Sequence, residues 1–295
     1  MDNIVECKNL THYYGKKMVY ENLSFNIRRG SILGLLGKNG AGKTTTINIL
    51  NGFLTPRSGE CIILGENSRS LSPAVKAKIG FLIEGHVQYA FMNIYQIEKF
   101  YSGFYPNWKR EAYFDLMSKL KVTPKQKIST MSCGQRSQVA LGLILAQDPE
   151  LLVLDDFTLG LDPGYRRLFI DYLRDYAKSE NKTIFTTSHI IQDMERLIDD
   201  CMIMDYNRVL AYMPLKQFMG TFHQFNFETE SNDTPLPANP LVVNYERVKN
   251  KVELYTYGQE EDVKNYLNGL GFSYKNFTRV EMSLEDAFIG LTGKY

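Results

Sequence analysis

No apolar run in the chain approaches the roughly 18 residues needed to cross a bilayer, so any membrane role is expected to come through a partner chain. The opening Met1-Asp2-Asn3-Ile4-Val5-Glu6 has neither the basic nor the apolar region of a secretory leader. An excess of one charge is also missing. Lys plus Arg number 34 and Asp plus Glu 33, leaving a net charge of +1. That gives no global basic field for nucleic acid, and no nucleic-acid partner is expected. Cysteines are few and scattered. Cys7, Cys61, Cys133 and Cys201 include no Cys-x-x-Cys pair, which argues against a zinc site or a disulfide framework and suits a reducing compartment. Internal repeats and low-complexity tracts are absent. What remains is a globular composition, 44% hydrophobic and 23% charged over 295 residues, enough for one large domain and a small one.

The pattern along the chain is one of alternation. Two strands joined at Gly15 are expected between Ile4 and Ile27, and Ser31–Leu36 reads as a buried strand entering a glycine-rich turn. Helix follows over Lys43–Asn51, strand over Ile79–Ile83, and helix from about Tyr95 to Lys121, broken by Pro106. Gly134–Gln147 reads as helix, Leu151–Leu154 as strand, Leu168–Tyr176 as helix, Thr183–Thr187 as strand and Ile190–Ile198 as helix. Strands alternating with helices predict an α/β fold with a mainly parallel sheet and flanking helices. Composition shifts near Gly220, and the polar stretch Glu228–Pro240 with its three prolines reads as loop. Beyond it come a strand at Val252–Tyr257, a helix at Glu260–Leu270, a strand around Phe277–Met282, and a last helix opened by the capping-box residues Ser283 to Asp286. The expected domains are residues 1–220 and a small α+β domain, 221–295.

Three segments carry chemistry. Gly37-Lys38-Asn39-Gly40-Ala41-Gly42-Lys43-Thr44 joins a predicted strand to a predicted helix, the context a phosphate-binding loop requires. Its glycines let backbone N–H groups close on phosphate oxygens at a helix N-terminus. Lys43 has the reach for β- and γ-phosphates, and Thr44 the hydroxyl for Mg²⁺. The apolar strand Leu151–Leu154 ends in Asp155 and Asp156, placed for a metal and for an attacking water respectively. Between these lies Met131-Ser132-Cys133-Gly134-Gln135, before a helix with little polar surface.

In order and spacing these elements resemble the nucleotide-binding subunit of the ATP-binding cassette (ABC) transporter family, over about residues 1–220. The resemblance implies a P-loop ATPase domain with an antiparallel β edge and a helical subdomain. ATP and Mg²⁺ would be bound by Gly37, Lys38, Asn39, Gly40, Ala41, Gly42, Lys43, Thr44 and Thr45, with Asp155 on the metal. Ser132, Gly134 and Gln135 match the family's Leu-Ser-Gly-Gly-Gln signature, which implies that they bind the ATP held by the Gly37–Thr45 loop of the other chain in a dimer, whereas Met131 and Cys133 depart from it, the latter adding a side chain near phosphate. Tyr14 resembles the aromatic that stacks on adenine, Asp162 in Gly160-Leu161-Asp162-Pro163 the D-loop that crosses a dimer, and His189 the switch histidine at the γ-phosphate. Glu84 takes the place of the Q-loop glutamine, which senses Mg²⁺ and links to the membrane domain. Glu84 and the tail Met282 to Phe288 are similar to the ABC-2-type exporter branch. Asp156 stands where the family has its catalytic glutamate, one methylene shorter, and a setback of about 1 Å can cost ~10²-fold in rate.

The function implied is an ATPase subunit driving an exporter. It would pair with itself or with a homologue, attach to a separate transmembrane permease chain, and sit at the cytoplasmic face of the membrane. A soluble ABC ATPase acting on DNA or ribosomes would want a coiled-coil insertion, a second cassette or a basic face, and none is present. A GTPase would need an Asp to read guanine, which Asn181-Lys182-Thr183-Ile184 lacks. A regulatory nucleotide-binding module with negligible turnover is the alternative that Asp156 and Cys133 leave open. His12, His86 and His223 have no such context and read as structural or exposed.

Overall fold

The computed structural model describes residues 2–82, 89–119, 123, 125–229, 236–237 and 239–293. Its contacts divide the chain into two units, Met1–Val209 and Leu210–Tyr295, a division eleven residues before the expected end of the first domain at 220.

The first unit opens with β1 (Asn3–Tyr14) and β2 (Lys17–Arg28), an antiparallel pair turning at Gly15. Next come β3 (Ile32–Gly37) and α1 (Lys43–Leu50). β4 (Ser58–Ile63) and β5 (Glu66–Asn67) complete an antiparallel sheet of order β2-β1-β4-β5. Sequence alone does not signal β4, whose apolar stretch Cys61-Ile62-Ile63 is too short to show a period. After α2 (Pro73–Lys76) and β6 (Ile79–Leu82) the helical region splits into α3 (Ile94–Ser102) and α4 (Arg110–Lys119), on either side of Pro106. Then follow α5 (Cys133–Ala146), β7 (Leu151–Asp155), α6 (Pro163–Ser179), β8 (Thr183–Thr187), α7 (Ile191–Leu197) and β9 (Asp200–Asp205). α6 is longer than the pattern predicted because Pro163 sits at its first turn, where a missing N–H costs nothing.

Five other strands of this unit run parallel in the order β9-β3-β8-β7-β6. β7 and β8 are buried throughout, as expected for parallel strands covered on both faces. α5 approaches β6 closely because Gly80 has no side chain: a Cβ there would lie 2.5 Å from Ile144. The core between the two sheets joins Phe25 of β2 to Phe185 of β8, stacked with ring centroids 6.0 Å apart.

β10 (Arg208–Pro214) spans the division. The second unit continues with α8 (Leu215–Thr221), β11 (His223–Thr229), β12 (Asn244–Val248), β13 (Lys251–Thr256), α9 (Glu260–Gly269), β14 (Tyr274–Val280) and α10 (Leu284–Thr292). Its antiparallel sheet has the order β12-β13-β11-β14. Two expectations change here. Glu228 and Thr229 end β11 instead of beginning a loop, and the strand placed around Phe277–Met282 runs Tyr274–Val280, pairing with β11. Ser283 caps α10, accepting from the Asp286 N–H at 3.1 Å, while Asp286 accepts from the Ser283 N–H.

Phe185 is fully buried. Phe185→Ala is expected to destabilise the first unit by about 3–5 kcal/mol, read as a shift of its urea midpoint at constant slope.

Candidate functional site

The carboxyl ends of β3, β7 and β8 lie side by side, since Leu35 pairs with Thr187 and Thr187 with Asp155. Everything that follows those strands therefore meets at one edge. β3 delivers the loop from Gly37 to Gly42, and α1 begins at Lys43. Gly42 has φ +104, and a Cβ there would lie 2.8 Å from Val19 and 3.0 Å from the Tyr20 ring. Only glycine meets both demands. Lys43 is buried, and its ammonium donates to the carbonyls of Gly37 at 2.6 Å and Lys38 at 3.2 Å. Burial pushes its pKa below the ordinary value, opposed by the charges of Asp156 and Asp155. Thr44 is exposed on the first turn of α1, and Thr45 is buried behind it.

β7 presents Asp155, which accepts a hydrogen bond from the Thr187 hydroxyl. At Asp156 the chain turns through φ +46, a left-handed conformation that Asp tolerates better than most side chains. Its N–H donates to the Thr187 carbonyl at 3.2 Å. Its carboxylate accepts the His189 backbone N–H at 2.8 Å and lies 3.0 Å from His189 Nε2. The two residues assigned separate roles from sequence are thus one hydrogen-bonded pair.

A cavity of 350 Å³ is lined by Tyr14, Asn39, Gly40, Gly42, Lys43, Thr44, Thr45, Asp155, Asp156 and His189. Lys17 and Val19 line it too and were not foreseen. The available signal was the hairpin register, which sets Lys17 opposite Tyr14. Tyr14 is 52% exposed, with its hydroxyl 3.4 Å from that of Thr45 and its ring edge-on to His12 at 4.9 Å. Gly37, Lys38 and Ala41 shape the loop without lining the cavity. Lys38 and Ala41 are buried, and the Ala41 N–H donates to the Lys38 carbonyl at 3.1 Å.

Ser132, Gly134, Gln135 and Asp162 do not line this cavity. Ser132 and Gln135 form a capping box that satisfies the start of α5, at 3.1 and 3.0 Å. Gly134 packs on the next loop, since a Cβ there would lie 2.9 Å from the Gly160 carbonyl oxygen. Cys133 is exposed, and its sulfur lies on the Gly160 side. Asp162 is exposed at the N-cap of α6. Glu84 and His86 lie outside the described residues. His223 is buried in the second unit.

The donor set suits a hard cation. Thr44 and Asp155 both line the cavity and offer oxygen atoms, and Mg²⁺ is commonly held by one or two protein oxygens plus phosphates. Among the described residues, no cluster of three or more His, Cys, Asp or Glu side chains would hold a metal on its own.

Residues 20–159 match the family model described as ABC transporter. The chain is 29% identical to the bacitracin transport ATP-binding protein BcrA of Bacillus licheniformis, over 99% of this chain and 98% of that one. It is 32% identical to the Nod factor export ATP-binding protein I of Cupriavidus metallidurans, over 72% of this chain and 71% of that one. Among solved structures, it resembles an ATP binding subunit of an ABC transporter with a TM-score of 0.66 and 25% identity, covering 74% of this chain and 92% of the other.

Lys43→Ala removes the cation that faces both aspartates. It is expected to weaken ATP about 10- to 100-fold, the loss of charge-assisted hydrogen bonds, as measured by titration with a fluorescent ATP analogue. Wild-type affinity would remove Lys43 from the site.

Proposed function

The chain belongs to the ABC transporter family as one of its ATP-binding subunits, and from that premise we propose that its 350 Å³ cavity hydrolyses ATP to drive a membrane exporter. It is an ATPase of the kind that powers membrane transport. Relatives named for bacitracin transport and Nod factor export align over most of their lengths, which supports export as the direction. The reading calls for a separate transmembrane permease chain, a second ATPase subunit, identical or homologous, and a position at the cytoplasmic face of the membrane.

The observation that carries the reading is the Asp156–His189 pair lining one cavity together with Lys43. Residues Gly37 to Thr45 cradle the triphosphate, with backbone N–H groups and the start of α1 facing its charge. Lys43 exchanges its loop carbonyls for β- and γ-phosphate oxygens. Thr44 and Asp155, with Glu84 as a third donor, would hold Mg²⁺, which neutralises phosphate charge. Tyr14 stacks on the adenine. Asp156 orients a water and takes its proton, and His189 contacts the γ-phosphoryl group while fixing the Asp156 carboxylate. Ser132, Gly134, Gln135 and Asp162 do not line this cavity, which suits a signature that completes the partner's site across a dimer. Catalysis is then positioning and charge stabilisation of phosphoryl transfer to water.

The short carboxylate separates two assemblies. In a homodimer, Asp156→Asn is expected to cut steady-state ATPase by about 10²–10⁴-fold, the range of a lost general base, and to trap an ATP-bound dimer. Beside a homologue carrying glutamate, the same change lowers total ATPase only modestly. Full activity in a verified homodimer would rule Asp156 out as the base. His189→Ala should lower kcat far more than ATP affinity. Equal losses in both would make His189 a structural residue.

A further inference from the structure

Behind the catalytic pair lies a second link between the same two segments. Asp193, four residues after His189 on the first turn of α7, is buried. Its Oδ2 accepts from the Thr158 hydroxyl at 3.3 Å and pairs with Arg166 Nε at 3.2 Å. Thr158 is buried two residues after Asp156, and Arg166 lies on the first turn of α6, four residues after Asp162. Burial pushes the Asp193 carboxyl above its ordinary pKa, and Arg166 and Thr158 oppose that shift. A buried carboxylate costs free energy unless it is paired, so this one holds its partners firmly.

The chain it holds is itself strained. Asp156 sits at φ +46, and the turn after it is closed by the Leu159 N–H on the Asp156 carbonyl at 3.0 Å and the Leu161 N–H on the Thr158 carbonyl at 3.2 Å. Such a non-glycine conformation persists only where its surroundings over-determine it.

We infer that Asp193 is a positioning residue for hydrolysis: through Thr158 and Arg166 it clamps the Asp156–Asp162 loop to the helix that follows His189. The inference rests on Asp156 and His189 being the hydrolytic pair. A base one methylene short has little positional slack, so losing the clamp lowers turnover without weakening ATP.

The test is steady-state ATPase of the purified full chain at saturating protein concentration, alongside thermal unfolding. Asp193→Ala and Thr158→Val should each lower kcat about 10- to 100-fold, as a misplaced group does, with KM for ATP within about twofold. The double variant should be no slower than the slower single, because both break one link. Asp193→Asn keeps an acceptor for Thr158 and should recover part of the rate. Wild-type kcat in Asp193→Ala, with Asp156→Asn inactive, overturns the inference and leaves the site intact. Parallel losses of kcat, ATP affinity and unfolding midpoint in both Asp193 variants also overturn it, as a merely structural role. Full activity in Asp156→Asn overturns the site reading itself.

Discussion

The hydrogen bonds between Asp156 and His189 join two loops that are 33 residues apart in the chain. They exist because β7 and β8 are parallel neighbours in register, Asp155 opposite Thr187. One residue past that rung, both chains leave the sheet at the same height. The Asp156 N–H on the Thr187 carbonyl extends the pairing beyond the last strand residue. A slip of one register position would turn Asp155 to the other face of the sheet and dismantle the site. The geometry of the candidate site therefore depends on the register of two buried strands, one of which ends in Asp155.

The same edge concentrates charge. Lys43 is buried against its own loop and lines one cavity with Asp155 and Asp156. Desolvation depresses the lysine and the two carboxylates sustain it. The Thr187 hydroxyl holds Asp155 and the His189 N–H holds Asp156. A preorganised polar site spends little free energy on reorganisation when phosphate charge develops. The left-handed turn at Asp156 gives a physical reason for the shorter acid. Asp occupies that conformation at lower cost than Glu, and from there its carboxylate reaches His189.

The second unit obeys ordinary sheet logic. Phe225 and Phe227 project from β11 on one face and stack on Phe277 of β14, with Val263 and Leu267 of α9 in the same core. The alternation of apolar residues on β11 is local, yet the polar ends of that strand hid it among loop signals. β12 has a mixed, half-buried pattern that carries no period of its own, so its pairing with β13 decided its state.

The sequence by itself determined what depends on neighbours within a few residues. The phosphate loop was legible because its glycines, Lys43 and Thr44 are contiguous and their function follows from backbone conformation. Capping at Ser132 and Ser283 was equally local, as was the alternation of strand and helix that marks a parallel sheet. The shortened acid at Asp156 was visible, but not its consequence, since the φ +46 turn and the reach to His189 are set by strand register. The buried Asp193 carboxylate between α6 and α7 was decided by tertiary structure alone. It depends on Thr158 and Arg166 being brought within about 3 Å of Asp193, the range at which hydrogen bonds act, and only the packed fold brings them there.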